Sequence, residues 1–397
     1  MRRFALLLCC TVIASFGLAG CAAGGATDTY KIGFVASQTG PYTVLGVPAL
    51  EGAQLVVKQI NDAGGVNGKM LELVLYDDKG TATDTALAAQ RLIEIDEVST
   101  LACITATGLS HGMVPILNEN ETPGLIMSGT GLVNSQLGEW AFKPTSSEED
   151  YIPLPLGYLK DDVGVTTFAG MIENSGYGEG GEHYLGLVAP QMGMEMVETQ
   201  HYLPAATDMT PQLANIKASD AEAIFIWGSG PAGALVVKQA REMGIVLPII
   251  TTPAQASSGY MESFGEFYEM DPSLVSIDSK LTMWQQLPAD DPDKQLCQDF
   301  DEAFMAEYGR HPAMWEAIGA QFIVFIADGL ERADPDLSDI VAARAQVRDA
   351  FEQTENLSLF MGTHTMSPDD HYGRIVHKEV LVTYENGEKV LVKTMTD

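Results

Sequence analysis

Between Lys31 and Asp78 the hydrophobic period of this chain changes twice, and no other feature narrows its possible folds as far. Ile32, Phe34 and Ala36 alternate with polar or small residues at the period-two spacing of a strand, until Gly40-Pro41 breaks the run. After Pro48 the spacing becomes helical: Ala49, Ala53, Val56, Val57 and Ile60 form a three-and-four stripe that Gly64-Gly65 stops. Leu71 to Tyr76 then starts a second strand. Strand, helix and strand in this order make a βαβ unit, the building block of a doubly wound α/β fold, with a polar loop where a ligand could sit.

The alternation continues along the chain. A first series, to about Ser147, has strands near 31–36, 71–76 and 100–104 and helices near 49–63, 84–95 and 109–120. A second has strands near 163–172, 195–202, 223–227 and 247–251 with helices near 179–192, 210–218 and 232–243. Such alternation predicts parallel sheets covered by helices on both faces. Helical patterns near 295–308, 313–332 and 339–354 then precede two strands, Ile375–Tyr384 and Lys389–Lys393, joined through the hairpin signal Asn386-Gly387.

The N-terminus reads as a processing signal: Arg2-Arg3, an apolar run from Phe4 to Phe16, then Leu18-Ala19-Gly20-Cys21. Small residues before a cysteine fit a lipoprotein cleavage site with the lipid on Cys21; an ordinary signal peptide cut at another small-residue site is the alternative. The apolar run is shorter than the roughly 20 residues a bilayer requires, which disfavours a spanning helix. Residues 21–29, rich in Ala, Gly and Thr, would form a flexible tether. Without residues 1–20 the chain keeps 377 residues, more than one core usually supports, so two domains are expected. It then carries 20 basic against 54 acidic residues, a formal charge of −34. That balance excludes nucleic acid as a partner and leaves the lipid, rather than basic patches, as the means of membrane attachment. Of the remaining cysteines, Cys103 lies in an apolar run and reads as a core thiol; an oxidising compartment permits a disulfide with Cys297, but free thiols are expected.

Thr105-Ala106-Thr107-Gly108 lies between the strand ending at Ile104 and the next helix, the place where open α/β sheets bind ligands. A threonine hydroxyl with free backbone N–H groups there suits a carboxylate; alternatively Thr107 only caps its helix. Gly228, Gly230 and Gly233 spell G-x-G-x-x-G, yet the next strand ends in Thr251-Thr252-Pro253-Ala254-Gln255 without the acid that a dinucleotide site places on its ribose. Histidines show no metal-ligand spacing and no nucleophile elbow occurs, so neither an enzyme nor a cofactor is expected.

Thr39-Gly40-Pro41-Tyr42, Glu51-Gly52-Ala53, Ile60 to Gly68 and Tyr76-Asp77-Asp78 together resemble the leucine/isoleucine/valine-binding proteins, the hydrophobic-amino-acid branch of bacterial ABC-importer substrate-binding proteins. Further matches continue to about Gly373. The resemblance implies a two-lobed type I periplasmic-binding-protein fold, each lobe a doubly wound parallel sheet, with three crossovers near Thr145–Tyr151, Leu281–Gln286 and Met361–Thr365. Lobe 1 would comprise 30–147 plus 286–362 and lobe 2 148–285 plus 363–397. It implies further that Thr107, beside Thr105, holds the ligand carboxylate and that Ser128, Gly129 and Thr130 take its amino end. Tyr177, in Tyr177-Gly178-Glu179-Gly180, would close over the ligand, and Ser229 or Gly230 would face the cleft.

Two departures from that family pattern stand out. Leu45 replaces an aromatic residue common in the first loop, and the carboxylate that usually meets the ligand ammonium falls among Pro253, Ala254 and Gln255. An ammonium buried without a counter-charge is costly. The expected protein is therefore a monomeric, lipid-anchored, extracytoplasmic partner of an ABC permease. Its solute would be a hydrophobic amino acid or related small carboxylate, or alternatively a non-amino organic acid. A sensory ligand-binding module is a further alternative that the same fold supports.

Overall fold

The computed structural model describes residues 29–256 and 273–395. Cys21 and residues 257–272 lie outside them. Strands β1 (Thr29–Ala36), β2 (Met70–Asp77), β3 (Thr100–Ile104), β4 (Gly124–Ile126) and β5 (Ala141–Phe142) form a parallel sheet in the order β2-β1-β3-β4-β5. The alternation read in β1 sorts its two faces. Tyr30, Ile32 and Phe34 enter a core with the helices Thr43–Asp62 and Met314–Ala333, whereas Val35 faces Leu92, Leu101 and Cys103 on the other side. The two helices approach to backbone contact: a Cβ on Gly52 would lie 1.9 Å from the carbonyl oxygen of Glu316, and one on Gly319 1.8 Å from that of Ala49. Glycine is required at both points. Cys103 and Cys297 are both buried and unbonded to one another.

The second sheet contains β6 (Thr167–Glu173), β7 (Glu195–Tyr202), β8 (Ile224–Trp227), β9 (Ile249–Thr251) and β10 (Leu274–Ser279) in parallel. The antiparallel pair β14 (Glu379–Glu385) and β15 (Glu388–Thr394) completes the order β15-β14-β10-β9-β8-β6-β7. Asn386 and Gly387, with φ of 54° and 80°, make the hairpin turn that the sequence predicts. The chain therefore passes from the first sheet to the second after β5, returns after β10 with the helices Lys294–Tyr308 and Met314–Ala333, and passes again before β14. Two lobes result, α/β and helix-covered.

Several elements differ from the sequence expectation: the helix expected near 109–120 is split into Thr107–His111 and Val114–Glu119, and three others change. The helix expected after Pro48 already starts at Thr43, with Pro48 inside it. The strand expected from Val163 starts at Thr167, because Tyr158–Val163 is a wide helical turn closed by Gly164 at φ 87°. The single strand expected over 375–384 is broken at Lys378 into β13 (Arg374–His377) and β14. Its buried ammonium meets Asp293 at 2.6 Å and the carbonyl of Leu359 at 2.8 Å, which pins the chain where it leaves a small sheet of β11 (Leu357–Ser358), β12 (Gly362–His364) and β13.

Candidate ligand-binding site

The strand ends of both sheets point at one cavity, about 520 Å³ including the solvent space at its mouth. Ala106 and Thr107 follow β3, and Met127 and Gly129 follow β4. Tyr177 opens the helix after β6, while Ser229 follows β8 and Pro253 and Ala254 follow β9. Leu45, Met314, Trp315 and Ile318 come from the two packed helices, and Thr145, Ser146, Tyr151 and Met361 from the connections between lobes. The lobes are in contact around it. A Cβ on Gly129 would stand 2.5 Å from the ring of Tyr177, and one on Gly180 2.2 Å from Thr130 Oγ1.

Of the residues singled out in the sequence, the cavity brings together Leu45, Thr107, Gly129, Tyr177 and Ser229. Thr107 does not cap its helix with its side chain, since the cap position is Ala106 and no side-chain cap bond is made. Its buried hydroxyl accepts the N–H of Gly129 at 3.2 Å, which leaves its own proton to donate. The Tyr177 and Tyr151 hydroxyls pair at 2.8 Å, and burial pushes both phenols well up. Both rings lie against Trp227, at 5.7 and 5.9 Å between centroids. Ser229 Oγ lies 3.4 Å from Glu173 Oε1.

Thr105, Ser128, Thr130 and Gly230 do not line the cavity. Each is engaged elsewhere. The Thr105 hydroxyl is 2.8 Å from Ser37 Oγ, which donates to Asp78 at 2.5 Å. Ser128 Oγ is 2.8 Å from His111 Nε2, and its carbonyl accepts from Thr145 at 2.9 Å. Burial, with the nearby charge of Lys143, pushes the His111 imidazole down to about 4, so at neutral pH this contact is between neutral groups. Thr130 Oγ1 accepts from the N–H of Leu132 at 3.2 Å, capping the turn Gly131–Gln136. The Gly230 N–H donates to Glu173 Oε2 at 2.6 Å.

The position expected to lack an acid does so. Pro253 and Ala254 form wall, and Gln255 turns inward to donate to the Gly228 carbonyl at 2.7 Å. No Asp, Glu, Lys, Arg or His lines the cavity among the described residues. Sequence reasoning missed the methionines 127, 314 and 361, Trp315 and Ile318, whose stripe reads as ordinary core, and also Thr145 and Ser146. The last two, with Tyr151, fall in the segment expected to cross between lobes, which was the available signal. Among the described residues no group of side chains could hold a metal ion, and no helix is long and apolar enough to cross a membrane.

A family model described as "Periplasmic binding protein" matches residues 29–388. The leucine-, isoleucine-, valine-, threonine-, and alanine-binding protein of Pseudomonas aeruginosa is 22% identical over 295 residues, 70% of this chain and 76% of that protein. An extracellular ligand-binding receptor from Rhodopseudomonas palustris superposes with a TM-score of 0.82 at 22% identity, covering 92% of this chain and 99% of the other. The branched-chain amino acid transporter substrate binding protein from Streptococcus pneumoniae, solved in complex with isoleucine, gives 0.78 at 22% identity over 92% of this chain and all of the other, 100%.

Proposed function

The chain belongs to the periplasmic binding protein family, substrate-binding proteins rather than enzymes, and from that premise we propose that it captures a small hydrophobic carboxylate between its lobes for an ABC importer. Thr107 donates to the carboxylate, with Gly129 and Ser229 beside it; Leu45 and the methionines take the apolar body; Tyr177 closes from the second lobe. Hinge motion at the three crossovers opens and shuts the cleft, with lobe 1 as 30–147 plus 286–362 and lobe 2 as 148–285 plus 363–397. The observation that carries this reading is a cavity with a buried, donating Thr107 and no lining charge. Hydroxyl and N–H donors hold a carboxylate without a buried cation, whereas an ammonium there lacks a direct counter-charge.

The reading therefore favours a non-amino acid over its amino-acid counterpart. A hydrophobic amino acid is the second reading, supported by Glu173 behind Ser229 and by the names of the relatives. Thermal shift tests the carboxylate requirement: 4-methylpentanoate raises Tm and 3-methylbutan-1-amine does not. Stabilisation by the amine and not by the acid contradicts it. The protein is held at the membrane by lipid on Cys21, within the segment Leu18-Ala19-Gly20-Cys21. Cys21→Ala releases it from the membrane fraction; retention there, with no labelled lipid on the wild type, contradicts the anchor.

A further inference from the structure

Trp315 stands in the first turn of helix Met314–Ala333, in the cavity wall between Met314 and Ile318, and is 2% exposed. Its position is fixed from both sides. Glu316, next in sequence, accepts the Ala313 N–H at 2.9 Å and Arg310 Nη1 at 2.6 Å, and Arg310 also reaches Glu51 on the neighbouring helix. The glycine contacts at Gly52 and Gly319 hold those two helices together. Yet the indole Nε1, fully buried, has no hydrogen-bond partner among the described residues. Buried donors are almost always satisfied, and an indole N–H can only donate.

We propose that the Trp315 N–H donates to the bound solute, and that it selects an acid bearing a second oxygen acceptor beside the carboxylate, as in a 2-oxo acid. The inference rests on the reading of the cavity as a carboxylate site. Thr107, whose hydroxyl oxygen already accepts from Gly129, presents one proton to the ligand, and Trp315 presents another. Two donors on the first-lobe wall call for two acceptors. An unsubstituted acid offers its carboxylate alone, and an α-ammonium would place a donor toward a donor.

The test is Trp315→Phe, which keeps an aromatic ring and removes the N–H. Losing part of a buried indole lowers the ligand-free Tm through packing alone, so the proposal is decided by affinity. In calorimetry the variant binds 4-methyl-2-oxopentanoate about tenfold more weakly than wild type, and 4-methylpentanoate less than about twofold more weakly. Equal losses for the two acids assign Trp315 to packing and overturn it. Leucine is the third probe. Binding of leucine but not the oxo acid by wild type, with leucine affinity unchanged in the variant, overturns the Trp315 assignment and leaves the carboxylate site standing. Binding of none of the three overturns both.

Discussion

The two lobes meet the cavity on different terms. On the first-lobe wall Thr107 keeps a proton to give, and the apolar residues Leu45, Met127 and Ile318 sit on helices and strand ends locked by backbone contact. On the second-lobe wall the polar groups are committed to one another or to the crossover: Tyr177 to Tyr151, Ser229 to Glu173, Gln255 to Gly228. On the proposed function, the first wall receives the ligand and the second covers it, adding the contacts that make closure favourable.

The largest effect expected is on closure. Gly129 is not among the glycines with positive φ, so its backbone tolerates alanine, but a Cβ there would enter the Tyr177 ring. Gly129→Ala is expected to weaken ligand binding by about 3 kcal/mol, the upper range for overpacking, while ligand-free Tm changes little. Calorimetry beside a thermal melt separates the two. A large fall in ligand-free Tm would show instead that the glycine serves the first lobe alone.

Thr107→Ala comes next, with roughly 2 kcal/mol of affinity lost with the hydrogen bond to a carboxylate and the fold intact. Thr130→Ala should do the reverse, lowering stability by about 1 kcal/mol through a lost cap and leaving affinity near wild type. If both variants lose affinity equally, the division between cavity and cap fails.

The smallest expected effect concerns Glu148 at the junction of the lobes. Its buried carboxyl accepts the Gly131 N–H at 3.2 Å and lies near the Thr130 hydroxyl, Lys143 and the phenols of Tyr151, Tyr177 and Tyr184. Burial outweighs these contacts and pushes it well above the ordinary glutamate range. A carboxyl raised in the folded state is protonated in both states at low pH. Its contribution is lost as pH rises from the unfolded value toward the folded one. Stability of wild type relative to Glu148→Gln, followed by urea unfolding, should therefore fall from about pH 4.5 toward neutral. A difference independent of pH would mean the carboxyl ionises alike in both states.

How much of this was legible follows from what each position buries. The periods of β1 and the helix Ala232–Glu242 are visible because apolar residues recur on a face packed into a core. β10 is hidden because its buried positions include Ser276, bonded to Thr251 and Tyr384, and Asp278, bonded to Lys389. Sequence separation alone leaves those partners unknown. At the site, the loop after β3 was readable from chain order, and the missing acid near Pro253 from the family resemblance. Trp315 was not, because it reaches the cavity only through helix packing that no local period records.

The central claim is that the cavity holds a carboxylate without a direct partner for an ammonium. It is tested most directly by calorimetry of the wild-type protein with leucine and with 4-methyl-2-oxopentanoate, which share a carboxylate and side chain and differ at the α-position. The account predicts that the oxo acid binds at least as tightly. Leucine binding more tightly by about tenfold, or about 1.4 kcal/mol, would contradict it and move the role of the missing acid to Glu173 acting through Ser229.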